Sequence, residues 1–103
     1  MKSDYSKSGV RLRDKKYLDF IRSQPCHINK GHGPGEPDHG KAWGKGMKGP
    51  DYEALPLCRK CHSSRHDGKW MYGPTARETL VHRYNLIYIK QNKITIEELR
   101  GKL

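Results

Sequence analysis

The stretch Cys58–His66, CRKCHSSRH, read together with the Asp38-His39 pair upstream, decides how this chain is understood. Cys58 and Cys61 have the CxxC spacing of a zinc knuckle, while His62 and His66 stand four apart and share one face if the segment is helical. Successive helical residues are rotated by about 100°, so Cys61 and His62 serve two ions on different sides more readily than one. The pattern predicts a structural zinc and a separate catalytic metal.

Zinc in a closed site takes four ligands. Cys26 is the only cysteine besides the pair, so the fourth donor is not a thiolate. In CHINKGH (Cys26–His32), His32 is a better choice than His27, because adjacent residues rarely converge on one ion whereas a turn can bring Cys26 and His32 together.

The second set is Asp38, His62 and His66, a carboxylate and two imidazoles of the type that hold Mg²⁺, Mn²⁺, Zn²⁺ or Ni²⁺. Three protein ligands leave coordination positions open for a phosphate oxygen and water, as catalysis requires and a structural site does not. His39 is then free to act as a base, since imidazole titrates near neutral pH.

Size and charge agree with this reading. The chain has 103 residues, 33% of them hydrophobic, with a single Phe, so its core is small and a metal staple is physically welcome. Twenty-one Lys and Arg against eleven Asp and Glu give a formal net charge of +10, which favours a polyanionic partner, DNA foremost. No apolar run is long enough to span a membrane and the N-terminus lacks the apolar centre of a signal peptide, so the expected location is the cytoplasm. An odd cysteine count with one close pair fits metal ligation in a reducing compartment.

Along the chain, residues 1–12 are polar and basic and are expected to form an arm. Tyr17, Leu18, Phe20 and Ile21 predict a helix over 14–23 that ends before Pro25. The glycine-rich region 26–50 forbids long regular structure, leaving 36–42 and 52–57 as strands of one hairpin. A helix over 59–68 follows. Thr75 with Glu78 and Thr95 with Glu98 form TxxE capping boxes opening two C-terminal helices, the first with an apolar stripe of Leu80, Val81, Tyr84, Ile87 and Tyr88. Lys41, Lys45 and Lys48 lie among glycines around Trp43, so cations and backbone amides can approach phosphates there while the indole stacks on a sugar or base. Arg65, between the two helix histidines, either holds a phosphate or faces water.

PDHG (Pro37–Gly40), DYEALPLCRKCH (Asp51–His62) and His66 together resemble the HNH endonucleases of the His-Me finger superfamily. The stretch Gly44–Cys58, GKGMKGPDYEALPLC, is similar to their phage and prophage, Ref-like recombination-associated members. The resemblance covers residues 16–70 and implies a small α+β protein. Its ββα-metal core would carry His39 at the end of the first strand, LPLC as the returning strand, and His62 and His66 on the helix. It further implies that His39 is the general base, that Asp38, His62 and His66 bind the catalytic ion, with Mg²⁺ foremost, and that 5′-phosphate and 3′-hydroxyl ends are produced. Two features depart from the family pattern. Glu53 stands where many members have the middle Asn, so the group orienting His39 is Glu53, Asp51 or a backbone carbonyl. The first CxxC is also missing, because Asn29 stands three after Cys26, and this leaves the fourth zinc ligand open.

The expected organisation is a basic arm (1–12), a nuclease core with its zinc knuckle (13–74) and C-terminal helices packing on that core (75–103). The expected function is metal-dependent DNA phosphodiester hydrolysis in phage or prophage recombination, processing or packaging, alone, as a homodimer or with a phage partner. The competing class is a non-catalytic, zinc-stabilised DNA-binding module.

Overall fold

The Asp14 carboxylate accepts the amide of Tyr17 at 3.1 Å, and this N-cap starts helix α1 (Lys15–Ser23) in the computed structural model. The structure describes residues 5–6, 9–28, 33–40, 49–68, 72–73 and 75–101. Helix α1 turns Tyr17, Phe20 and Ile21 inward and stops where Gln24 becomes extended, the conformation Pro25 imposes on its predecessor. Tyr17, Phe20 and Tyr88 then pack ring against ring, with centroids 4.9–5.5 Å apart, and Val10, Tyr52, Ala54 and Leu99 complete the main core.

The strands are shorter than the sequence pattern predicts. β1 (Glu36–Asp38) and β2 (Leu55–Leu57) pair antiparallel, with Glu36 opposite Leu57, Pro37 opposite Pro56 and Asp38 opposite Leu55. Proline cannot donate to a ladder, and this register sets the two prolines against each other in one pair, leaving the flanking pairs free to bond. The expected strand over 52–57 begins instead as a 3-10 turn (Asp51–Glu53), with only its second half extended. All three residues of β2 are buried, and each fully buried leucine contributes roughly 1.5–3 kcal/mol. The Gly33–Gly35 segment and the residues after α1 extend the sheet loosely, through Gly35 N–H to Gln24 O at 2.9 Å and His27 N–H to Pro56 O at 3.0 Å. Gly35 is required here because a Cβ would collide with the Pro56 ring.

Helix α2 (Arg59–His66) follows β2 directly and has no buried residue, so its sequence is free to carry chemistry. Helix α3 (Ala76–Asn92) buries Val81, Asn85 and Tyr88, one face at i, i+4 and i+7. The predicted stripe is therefore displaced: Tyr84 packs at the core's margin while Ile87 is 37% exposed. Asn85 replaces an apolar residue at the centre of that face. Its side-chain amide donates to the Tyr17 hydroxyl and the Tyr52 carbonyl, both at 2.8 Å, and its oxygen accepts from Arg100 Nε at 2.8 Å. The Thr75 capping box does not form, since Thr75 has helical dihedrals and makes no side-chain cap bond. The one at Thr95 and Glu98 does, opening α4 (Ile96–Arg100).

Residues 9–12 do not extend away as an arm. Val10 is buried, Arg11 N–H donates to Arg100 O at 2.8 Å, and the Leu12 carbonyl accepts from Asp51 N–H at 2.9 Å. The protein is thus a small α+β fold with a two-stranded antiparallel sheet, packed against α1, α2 and α3. Among the described residues no helix is long and apolar enough to cross a membrane.

Candidate functional site

The chain brings three cysteines together from two places. Cys58 is the N-cap of α2, its Sγ accepting the Cys61 amide at 3.4 Å, and the geometry of the helix start turns Cys61 back toward it. Cys26, fully buried just beyond Pro25, approaches from the opposite side, so that one sulfur from each of Cys26, Cys58 and Cys61 lies within 4.8 Å of the others. Burial and the two facing thiols push the Cys61 thiol up to about 12. Three neutral thiols gain little from this crowding, whereas a soft cation that deprotonates them turns it into ligation, so the donor chemistry fits zinc. The fourth donor expected, His32, lies outside the described residues. His27, its alternative, does not join the three sulfurs; its Nε2 is 2.6 Å from the Tyr72 hydroxyl, and the two rings stack at 5.6 Å.

A second cluster forms at the open end of the two-stranded sheet. Asp38 ends β1, and His62 and His66 project from one face of α2, placing one ligand atom of each within 4.8 Å of the others. The Nε2 atoms of His62 and His66 are 3.0 Å apart, and His62 Nε2 is 3.7 Å from Asp38 Oδ1. On its other nitrogen, Nδ1, His62 faces Glu36 Oε1 at 3.2 Å. A carboxylate accepting from Nδ1–H fixes the tautomer in which Nε2 carries its lone pair toward Asp38 and His66. Sequence reasoning overlooked Glu36, although strand alternation puts residues 36 and 38 on the same side of β1.

Asp38 is fully buried and held from several directions. The Gly40 amide donates to Oδ1 at 3.1 Å, Arg65 pairs with the same oxygen, and Arg77 Nη1 lies 3.4 Å from Oδ2. Burial alone would raise the Asp38 pKa, but the Arg65 hydrogen bond, the Gly40 amide and the two guanidinium charges outweigh it and hold the carboxyl below its ordinary value. Arg65 thus lies on a carboxylate, neither pointing to solvent nor standing clear for a phosphate as the sequence alone suggested.

His39 follows Asp38 and points the other way. Its Nε2 lies 2.7 Å from Asp51 Oδ1, in the 3-10 turn before β2. The partner of His39 is therefore Asp51 and not Glu53, because the turn that replaces the expected strand directs residue 51 toward the end of β1. The other oxygen of Asp51 accepts the buried Asp14 amide at 2.7 Å, and Arg13 Nη1 is 3.5 Å from Oδ1. Burial would raise the Asp51 pKa, yet its bonds to His39 and the Asp14 amide and the charge of Arg13 lower it on balance. Lys41, Trp43, Lys45 and Lys48, the expected nucleic-acid contacts, lie outside the described residues.

Residues 7–87 match the family described as "Protein of unknown function (DUF968)", and the chain belongs to that family. The match includes both clusters, the His39–Asp51 pair and the first part of α3. No curated protein and no solved structure matches the chain.

Proposed function

We propose that this protein is a metal-dependent endonuclease of the HNH type that hydrolyses DNA phosphodiester bonds, its β1–β2–α2 unit acting as a ββα-metal core. The observation that carries this reading is an adjacency. Asp38 joins His62 and His66 in a metal-ligand set while its neighbour His39 is engaged, on its other side, by an ionised carboxylate.

An ionised Asp51 can only accept, so His39 Nε2 must carry the proton and donate it. The lone pair then resides on Nδ1, which is the atom to take a proton from an attacking water. Asp51 also stabilises the imidazolium formed in that step, as a buried carboxylate does for a catalytic histidine. Asp38, His62 and His66 suit a divalent ion: one carboxylate, two imidazoles with a converging nitrogen each, and Glu36 to orient one ring. When bound there, such an ion supplies Lewis-acid stabilisation of charge on the phosphoryl and leaving oxygens. The cysteine cluster is separate; Cys26, Cys58 and Cys61 would hold a zinc that serves the fold by linking the segment after α1 to the start of α2. The formal charge of +10 supports a nucleic-acid substrate.

The test is nicking of supercoiled plasmid in Mg²⁺, Mn²⁺ and Ni²⁺ by wild type and His39→Ala. Cleavage by wild type, reduced on the order of 10²- to 10⁴-fold in the variant, supports the reading. DNA binding without cleavage in any of the three metals would favour the non-catalytic zinc-stabilised module.

A further inference from the structure

Arg77 stands outside the β1–β2–α2 unit, in the first turn of α3, yet its guanidinium reaches into the centre of the site. Nη2 donates to the Asp38 carbonyl at 2.7 Å and to the Glu53 carbonyl at 2.8 Å, while Nη1 is 3.4 Å from Asp38 Oδ2. The two carbonyls belong to opposite sides of the hairpin, one at the end of β1 and one in the turn before β2. The plane is supported from a further side by the Tyr72 ring, 5.1 Å from the guanidinium carbon. Gly40 completes the seat: a Cβ there would collide with the guanidinium, and its φ of +71° favours glycine.

We infer that Arg77 is a positioning residue for the candidate metal centre, clamping the ends of the two strands together and, with Arg65 and the Gly40 amide, fixing the orientation of the Asp38 carboxylate beside His62. This rests on the nuclease reading. The sheet is short. Two three-residue strands, each with a central proline, form too small a ladder to hold Asp38 and Asp51 in fixed relation. One rigid guanidinium whose Nη2 bonds a carbonyl on each side supplies what the ladder lacks, and its Nη1 on Oδ2 adds to the Gly40 and Arg65 bonds that hold Oδ1 beside His62 Nε2. Lysine cannot replace it, because an ammonium is a point charge without the rigid, planar spread of donors.

The experiment is a Mn²⁺ titration of the full, zinc-loaded chain by calorimetry, with zinc content and circular-dichroism melts recorded on the same samples. Wild type should bind Mn²⁺ and His62→Ala should not, which assigns the site. Arg77→Lys should weaken Mn²⁺ binding on the order of 10- to 100-fold, the usual cost of removing a group that orients a ligand, while keeping its zinc and helical signal. Should that variant melt below the assay temperature, Arg77→Gln, which retains an amide donor for one carbonyl, carries the same expectation. A folded variant with wild-type Mn²⁺ affinity overturns the inference and leaves the nuclease reading standing. Absence of Mn²⁺ binding in wild type overturns both. If both variants lose zinc and helix, Arg77 belongs to the fold and the inference is overturned.

Discussion

Replacing Asp51 with asparagine exchanges one oxygen for an NH2 group in a near-isostere, and the structure determines how the new amide must sit. The Asp14 N–H, 2.7 Å from Asp51 Oδ2, is buried and needs an acceptor. In Asp51→Asn the side-chain oxygen therefore stays on Asp14 and the NH2 group turns toward His39. An NH2 group only donates. His39 Nε2 must then accept, its proton moves to Nδ1, and the nitrogen proposed to face water no longer has a lone pair. The catalytic loss should match that of a misassigned base, on the order of 10²- to 10⁴-fold, or about 3–5 kcal/mol in the barrier.

The fold should lose less. The variant keeps a neutral bond to Asp14 and gives up charge-assisted contacts with His39 and Arg13, roughly 1.5–3 kcal/mol in total. Plasmid nicking reports the first quantity, and chemical denaturation the second. ¹⁵N chemical shifts of the His39 ring report the tautomer directly. Asp51→Asn cleaving within a few-fold of wild type, or losing activity while the ring keeps its Nε2 proton, would refute the reasoning.

Cys58→Ser and Cys61→Ser should lose zinc and unfold or aggregate, whereas His62→Ala and His66→Ala should keep zinc and fold but lose cleavage; elemental analysis with melting curves checks both, and equal zinc loss in the two classes means one shared site. The pKa of Asp51 is lowered in the folded protein, so its stabilising contribution is complete above the unfolded value of 3.8 and disappears as pH falls through the folded one. The stability gap between wild type and Asp51→Asn should therefore be full near pH 6 and shrink below roughly pH 4, as denaturant titrations at several pH values would register. Finally, DNA affinity should fall steeply with salt, and Lys45→Ala with Lys48→Ala should reduce the slope of log affinity against log salt by about one unit for each phosphate interaction removed; an unchanged slope takes these lysines out of the interface.

Much of the fold was legible because short-range chemistry wrote it. Pro25 after an amphipathic run and Thr95 with Glu98 mark helix ends through constraints that act within a turn, and each marks a helix end in the structure. The CxxC pair and the HxxxH pair likewise have their geometry set by one helix. What the sequence hid is long-range. Thr75 has the same capping pattern as Thr95, but the chain enters α3 in a conformation that prevents its use. Asn85 lies outside the predicted apolar stripe yet is the centre of the buried face, because Tyr17, Tyr52 and Arg100 arrive from three other elements to satisfy it. The choice of Asp51 over Glu53 depended on a 3-10 turn that no periodicity announces in three residues. Arg77 has no local signal at all, since its partners are 39 and 24 residues away.

These hidden contacts share a physical cause. A region rich in glycine and proline, with six strand residues among those described, cannot fix side chains through a backbone ladder, so the candidate site has to be fixed from outside it. Three elements do so in different ways. The segment before α1 presents the Asp14 amide to Asp51, the partner of His39; the three cysteines bring the start of α2 together with the segment after α1; and Arg77 of α3 joins the two strand ends. Each support acts on a different part of the site, so damage to each should have its own signature. Loss of the amide contact should perturb the base, loss of the thiols the fold, and loss of Arg77 the affinity for the ion. That separation follows from the geometry together with the proposed base and metal sites, and it makes the site open to dissection one support at a time.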